Sequence, residues 1–370
     1  MRCRRRRPRA SAPRCTRGCM AEALPSEAPA SSEAQPPAHF PRELSASWPS
    51  AWRANPGSRT GALARVECAL VNAGLGGAAR LPDGARALLL DALAFVAHKV
   101  DRRHTRAARE WIDQAFGPGL AEDELARRVR RAFRHLFRVT VDTHRATRVI
   151  EPARLREHVE VVKTADVERV LAERRGALIA SAHFGDWETM GAVLPWLGFD
   201  PLYAVSRPIR NRYLSLHAQA ARERRGVRIV PRAGAMQEIP RILASGGHVV
   251  MLLDQRGRHR PVLAPFFGRE AACERAPSVL ARRSRCPILF ATCAYGDAPL
   301  SWRLELGPVL WPEQTRRMDP VELATRINAE LERRIRARPE QQLWVHDRYR
   351  ARAPQPRELE NEATDSVEAD

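Results

Sequence analysis

The chain has 370 residues and a formal net charge of +19, long enough for a substantial core in one large domain or two smaller ones. No apolar run reaches the ~18–20 residues that a membrane span needs, and the basic first 19 residues lack the following apolar stretch of a secretory signal. Seven scattered cysteines form no Cys-x-x-Cys and no Cys/His spacing suited to zinc, which argues against a disulfide framework or zinc site and fits a reducing compartment.

Charge is spread unevenly. Residues 1–19 hold eight Arg and no acid, whereas residues 355–370 hold six acids and one Arg. The body between them carries +16, which suits an anionic partner: lipid headgroups, an acidic carrier protein or nucleic acid. Only Lys99 and Lys163 are lysines among 62 basic residues, a bias that reflects genomic base composition rather than guanidinium chemistry at each site.

Residues 1–60 are rich in Pro, Ala, Ser and Arg with little periodicity, and are expected to be a disordered leader; Met20 is a second candidate start. Residues 61–150 have helical character. The apolar stretch Ala85 to Val100 fits either a buried core helix or an interfacial helix lying in one leaflet. Glu122 to Thr147 places Leu125, Val129, Phe133, Leu136, Phe137 and Val141 at helical spacing.

Over residues 151–354 short β-like runs alternate with helical stretches. Val159–Val162, Ala177–Ala182, Leu202–Ser206 and Val227–Val230 each precede a helix, the last one Ala235–Ala244. His248–Leu253 follows, then a loop, a helix at Arg275–Ser284, the runs Ile288–Ala294 and Trp302–Leu306, and a final helix at Asp319–Ala337. This order predicts an α/β fold, a sheet with flanking helices. Residues 355–370 are expected to be a disordered acidic tail.

His183 and Asp254 both fall at the ends of predicted strands, where open α/β sheets carry their sites. His183 follows the apolar run Ala177-Leu178-Ile179-Ala180, and Glu188 comes five positions later. An imidazole held by a carboxylate can take a proton from a hydroxyl, the central need of acyl transfer to an alcohol. On one regular helix the two side chains would lie roughly 140° apart. They converge only with His183 in a loop and Glu188 in the first helical turn, a geometry that Gly185 makes easier.

Other readings fit the same residues. Glu188 can serve only the helix dipole, Asp186 competes for the imidazole, and His183, Asp186 and Glu188 together are a weak metal set. Arg207 lies just past a predicted strand and is either an anion clamp or a solvated side chain. Asp254 and Gln255 close an apolar run and either face a site or cap a loop. There is no Gly-x-Ser-x-Gly elbow and no Walker loop, and Pro82 interrupts the helix that Gly74-Leu-Gly-Gly-Ala-Ala79 would need as a dinucleotide motif.

Several ordered segments resemble one family, the bacterial lipid A biosynthesis acyltransferases and their relatives that acylate phosphatidylinositol mannosides. His183-Phe-Gly-Asp-Trp-Glu188 resembles the family's His-x4-acid motif. Arg207-Pro208 with Asn211, Ala244-Ser-Gly-Gly247 leading to Asp254-Gln255, Pro265-Phe-Phe-Gly268, and Arg338-Pro-Glu-Gln-Gln-Leu-Trp-Val-His346-Asp-Arg-Tyr-Arg350 resemble its later blocks. Asp186 stands where the family usually has Asn, Gln342 where Trp is frequent and Asp347 where Arg is frequent.

The resemblance implies a glycerolipid-acyltransferase-like mixed sheet with flanking helices, preceded by an N-terminal helical region, together forming a domain over 61–354. It implies transfer of a fatty acyl group from acyl carrier protein or coenzyme A to a glycolipid hydroxyl, with no cofactor or metal, at the cytoplasmic face of the bacterial inner membrane. His183 would be the general base, Glu188 its orienting carboxylate, and Arg207, Asn211, Asp254 and Gln255 substrate contacts. The competing reading is a cationic membrane- or nucleic-acid-binding protein without catalytic activity; against it, aromatics are few and no nucleic-acid motif appears.

Overall fold

Among the described residues four helices come first: α1 (Ala62–Ala78), α2 (Asp83–Val100), α3 (Arg102–Phe116) and α4 (Glu122–Val149). The computed structural model describes residues 58–349 apart from Pro118 and Ala233, so the acidic tail, Met20 and the leader up to residue 57 lie outside the described residues. Arg59, counted with that leader, is tied into the structure: it donates to the Arg210 carbonyl and accepts from the Arg212 N–H. All described residues belong to one compact unit.

The helical starts follow from their sequences. Asp101 caps α3 by accepting from the His104 N–H. Glu122, Asp123 and Glu124 place negative charge at the positive end of α4, which buries Leu125, Val129, Phe133 and Val141 along one side. Of the two readings of Ala85–Val100, the core helix is not what forms. Helix α2 packs on α4 and buries only Arg86, Leu90 and Ala94. It leaves Leu88 (73%), Phe95 (52%), Val96 (56%) and Val100 (75%) exposed.

The α/β part contains a mixed seven-stranded sheet in the order β1-β9-β8-β2-β5-β3-β4. Its strands are β1 (Val159–Lys163), β2 (Leu178–Ser181), β3 (Leu202–Ser206), β4 (Val227–Pro231), β5 (His248–Leu252), β8 (Ile288–Tyr295) and β9 (Trp302–Leu310). Neighbours pair in parallel except β8 with β9. The helices are α5 (Leu155–His158), α6 (Ala165–Ala172), α7 (Trp187–Val193), α8 (Arg212–Glu223), α9 (Ala235–Ala244), α10 (Ala276–Ser284), α11 (Pro312–Thr315) and α12 (Pro320–Ala337). Strands β2 and β8 are buried throughout, as expected of central strands covered on both faces.

One expectation is corrected. The loop expected after β5 contains an antiparallel hairpin, β6 (Val262–Phe266) and β7 (Arg269–Cys273). Its turn residues Phe267 (φ 50°) and Gly268 (φ 74°) are left-handed, which suits the twist of a two-residue hairpin. Pro261 and Pro265 hid this strand, because proline lacks the N–H that a ladder uses. At the turn, Phe266 and Phe267 join Trp111 and Phe116 of α3 and Trp344 in one aromatic cluster, with ring centroids 4.9–6.1 Å apart.

Candidate active site

Strand register brings the central pair together. Ser181 of β2 lies opposite Leu252 of β5, and the Leu253 N–H continues the ladder to the Ser181 carbonyl at 2.8 Å. Two residues further on each chain come His183 and Asp254. His183 Nδ1 lies 2.9 Å from Asp254 Oδ1. The second oxygen, Oδ2, accepts from Gln342 Nε2 at 2.9 Å. Burial pushes the Asp254 carboxyl up, but the charge and hydrogen bond of His183 and the Gln342 amide outweigh it and hold its pKa at about 2. An ionised Asp254 only accepts, so Nδ1 is the donor in this pair, and in the neutral tautomer that this selects Nε2 carries the lone pair. Gln255 Nε2 lies 3.4 Å from His183 Nε2.

The loop after His183 is clamped on both sides. The Gly185 N–H donates to the Gln341 carbonyl (2.8 Å), the Asp186 N–H to the Cys293 carbonyl (2.7 Å), and the Leu343 N–H to the His183 carbonyl (3.0 Å). Gly185 is needed for its φ of 61° and for space: a Cβ there would meet the Cys293 carbonyl oxygen at 2.0 Å. The N–H groups of Gly185 and Asp186 are therefore committed within the fold.

Asp186 does not compete for the imidazole. It caps α7, accepting from Thr189 N (2.9 Å), Thr189 Oγ1 (2.8 Å) and Trp302 Nε1 (3.0 Å). Complete burial lifts its carboxyl to about 6 in spite of these bonds. His183, Asp186 and Glu188 thus address three different partners. Among the described residues no group of three or more His, Cys, Asp or Glu side chains is placed to hold a metal ion.

Glu188 does lie in the first turn of α7, as its spacing requires, but its carboxylate is bound by Arg222 of α8 through Nε (3.0 Å) and Nη2 (2.5 Å). Burial raises the proton affinity of Glu188; the Arg222 charge and its two bonds, with smaller help from Arg225 and His183, bring it below the usual carboxylate range. The expectation that Glu188 holds the imidazole is therefore corrected: the hydrogen bond to Nδ1 comes from Asp254. The sequence could not show this, because strand register, not spacing along the chain, selects the partner.

Two expected substrate contacts also change. Asn211 is 1% exposed. Its Oδ1 caps α8, accepting from Tyr213 N and Leu214 N, and its Nδ2 donates to the Ala64 carbonyl in α1. Committed on both atoms, it is a structural residue. Asp254 serves His183 rather than a substrate. Arg207 remains exposed beyond β3; burial and the charges of Arg258 and Arg232 make its guanidinium less basic than usual.

Four residues to which sequence reasoning gave no site role complete the site. Gln342 and Arg222 hold the two carboxylates. Trp187 sets its ring edge-on to His183, with centroids 5.2 Å apart. Arg348, fully buried, donates to the carbonyls of Gln255 (3.3 Å) and Ala272 (2.6 Å) and fixes the segment that carries Asp254. The closing Arg338–Arg350 block was a signal for Gln342 and Arg348, since both lie in it. Arg222 had none.

A histidine held by a buried carboxylate at the carboxyl end of the central strands is an arrangement able to take a proton from a hydroxyl. The comparisons give the class of protein. The bacterial lipid A biosynthesis acyltransferase family matches residues 59–351, and the chain belongs to that family and is an acyltransferase. It is 27% identical to the lipid A biosynthesis palmitoleoyltransferase of Escherichia coli K12 over 253 residues, covering 68% of this chain and 80% of the relative. The lipid A biosynthesis acyltransferase of Shigella flexneri aligns with the same identity and coverage.

Proposed function

We propose that the protein transfers a fatty acyl group from an acyl thioester, on acyl carrier protein or coenzyme A, to a hydroxyl of a lipid A-type glycolipid. The observation that carries this reading is the buried Asp254 carboxylate 2.9 Å from His183 Nδ1, with Nε2 turned to the Gln255 amide. The acceptor hydroxyl takes the place of the Gln255 contact at Nε2 and gives up its proton there as its oxygen attacks the thioester carbonyl. Asp254 keeps the tautomer and stabilises the imidazolium that forms. The tetrahedral intermediate then expels the thiolate, and the imidazolium returns the proton to it. Gln255 and Arg207 are the donors proposed for the oxyanion. Glu188, fixed by Arg222, adds negative potential beside the imidazolium.

Membrane association is part of the same reading. No helix among the described residues is long and apolar enough to cross a membrane. The exposed Leu88, Phe95, Val96 and Val100 of α2, next to Lys99 and Arg102, form the face proposed to rest in an anionic leaflet at the cytoplasmic side of the inner membrane.

The test is transfer of radiolabelled acyl groups by the purified, folded protein, from each thioester to lipid A precursors. General base catalysis contributes ~10²–10⁴-fold, and His183→Ala is expected to lose that much. A near-normal rate in this variant would remove His183 from the mechanism.

A further inference from the structure

We propose that a cavity between the start of α3 and the segment after β5 is a phosphate site, which takes the phosphate of one of the two substrates. The inference rests on the acyl-transfer reading above and names what one substrate must carry. The cavity measures 330 Å³ and is lined by Arg103, His104, Arg256, Arg258, His346 and Asp347. Its size matches roughly ten waters at about 30 Å³ each, enough for a phosphate and part of its ester.

The lining suits an anion. It includes three Arg and a single acid, Asp347, and Arg offers the fork of donors that matches phosphate oxygens. His104 is held by Asp101, which accepts from its backbone N–H at 3.1 Å and meets its Nδ1 at 2.6 Å. The Arg256 N–H donates to His346 Nε2 at 3.4 Å, which leaves Nδ1 of that ring as a donor. Burial lowers the His346 pKa to about 4, so the ring is a neutral donor at pH 7. The charge of Arg258 also reaches Arg207 beyond β3. An arriving phosphate dianion relieves that repulsion.

The cavity adjoins the reacting atoms through single residues. Arg256 directly follows Gln255, whose amide faces His183 Nε2, and His346 feels the charges of both Asp254 and His183. A phosphate held here fixes a substrate next to the base. Two sources carry such a group: the glycolipid acceptor, and the phosphopantetheine of the thioester donor.

The experiment compares the wild-type chain with the Arg103→Ala/Arg258→Ala double variant, both of whose changed residues are exposed. Inorganic phosphate is the first probe: it is expected to raise the wild-type melting temperature, and the variant is expected to lose that shift. The second readout is KM in two arms, phosphorylated against dephosphorylated glycolipid, and acyl-coenzyme A against acyl-pantetheine. In one arm the wild type is expected to prefer the phosphorylated form by about tenfold or more, and the variant to lose the preference, KM rising more than kcat falls. The arm that responds names the source. Phosphate shift and preference both surviving in the folded variant would overturn the proposal, as would a wild type that neither binds phosphate nor prefers a phosphorylated substrate. A wild type that binds phosphate through these arginines but transfers no acyl group would instead overturn the acyl-transfer reading and leave the site standing.

Discussion

Three carboxylates flank His183, and burial and partners give each a different state. Asp254 is ionised and receives both the imidazole and Gln342, so Asp254→Asn offers the wrong hydrogen-bonding pattern to Nδ1. A loss of ~10²–10⁴ in kcat is expected, with KM little changed, by steady-state kinetics. Glu188→Gln keeps its place but loses the charge paired with Arg222, and is expected to cost less than Asp254→Asn in the same assay. Asp186 titrates in the opposite sense. Its folded pKa of about 6 lies above the unfolded value near 3.8, so the folded state holds the proton more tightly. Its contribution to stability is complete below about pH 4 and is lost as pH rises through 6. By linkage the loss is about 3 kcal/mol. Melting curves at pH 4.5 and 7 are expected to show this decline in the wild type and a smaller one in Asp186→Asn. An equal decline in both would place the titration elsewhere.

At the scale of elements, the pairing of β2 with β5 decides the site. Leu178–Ser181 and His248–Leu252 were legible as strands because each is a short apolar run. Their adjacency was not, so Asp254 was seen as a strand-end acid but not as the partner of His183. The β6–β7 hairpin was hidden by its prolines, and Asn211, expected as a substrate contact from the family resemblance, caps α8 instead. Helix-period patterning over 122–147 was read closely, since Leu125, Val129, Phe133 and Val141 all turn inward. Gly185 joins strand to helix under tight constraint. With the Cys293 carbonyl so close, Gly185→Ala must displace the backbone, and a destabilisation of at least about 2 kcal/mol, read from urea unfolding, is expected together with loss of activity.

For the whole molecule, the aromatic cluster of Trp111, Phe116, Phe266, Phe267 and Trp344 packs an N-terminal helix, the hairpin and the closing block together. The positive body charge was legible in composition, but the apolar face of α2 was legible only as one of two readings, because the 3.6-residue period alone does not say which side a neighbouring helix covers. Burying a large apolar side chain is worth about 1.5–3 kcal/mol. Leu88→Ser with Phe95→Ser is therefore expected to move the protein from sedimenting anionic vesicles to the supernatant, with its melting temperature little altered. In the proposed mechanism Asp254 acts through the imidazole of His183, and a double-mutant cycle on acyl transfer tests this most directly. In the wild-type background Asp254→Asn is expected to lower kcat by ~10²–10⁴, and in a His183→Ala background to lower it no further. Equal losses in both backgrounds, or a His183→Ala enzyme as fast as wild type, would contradict it.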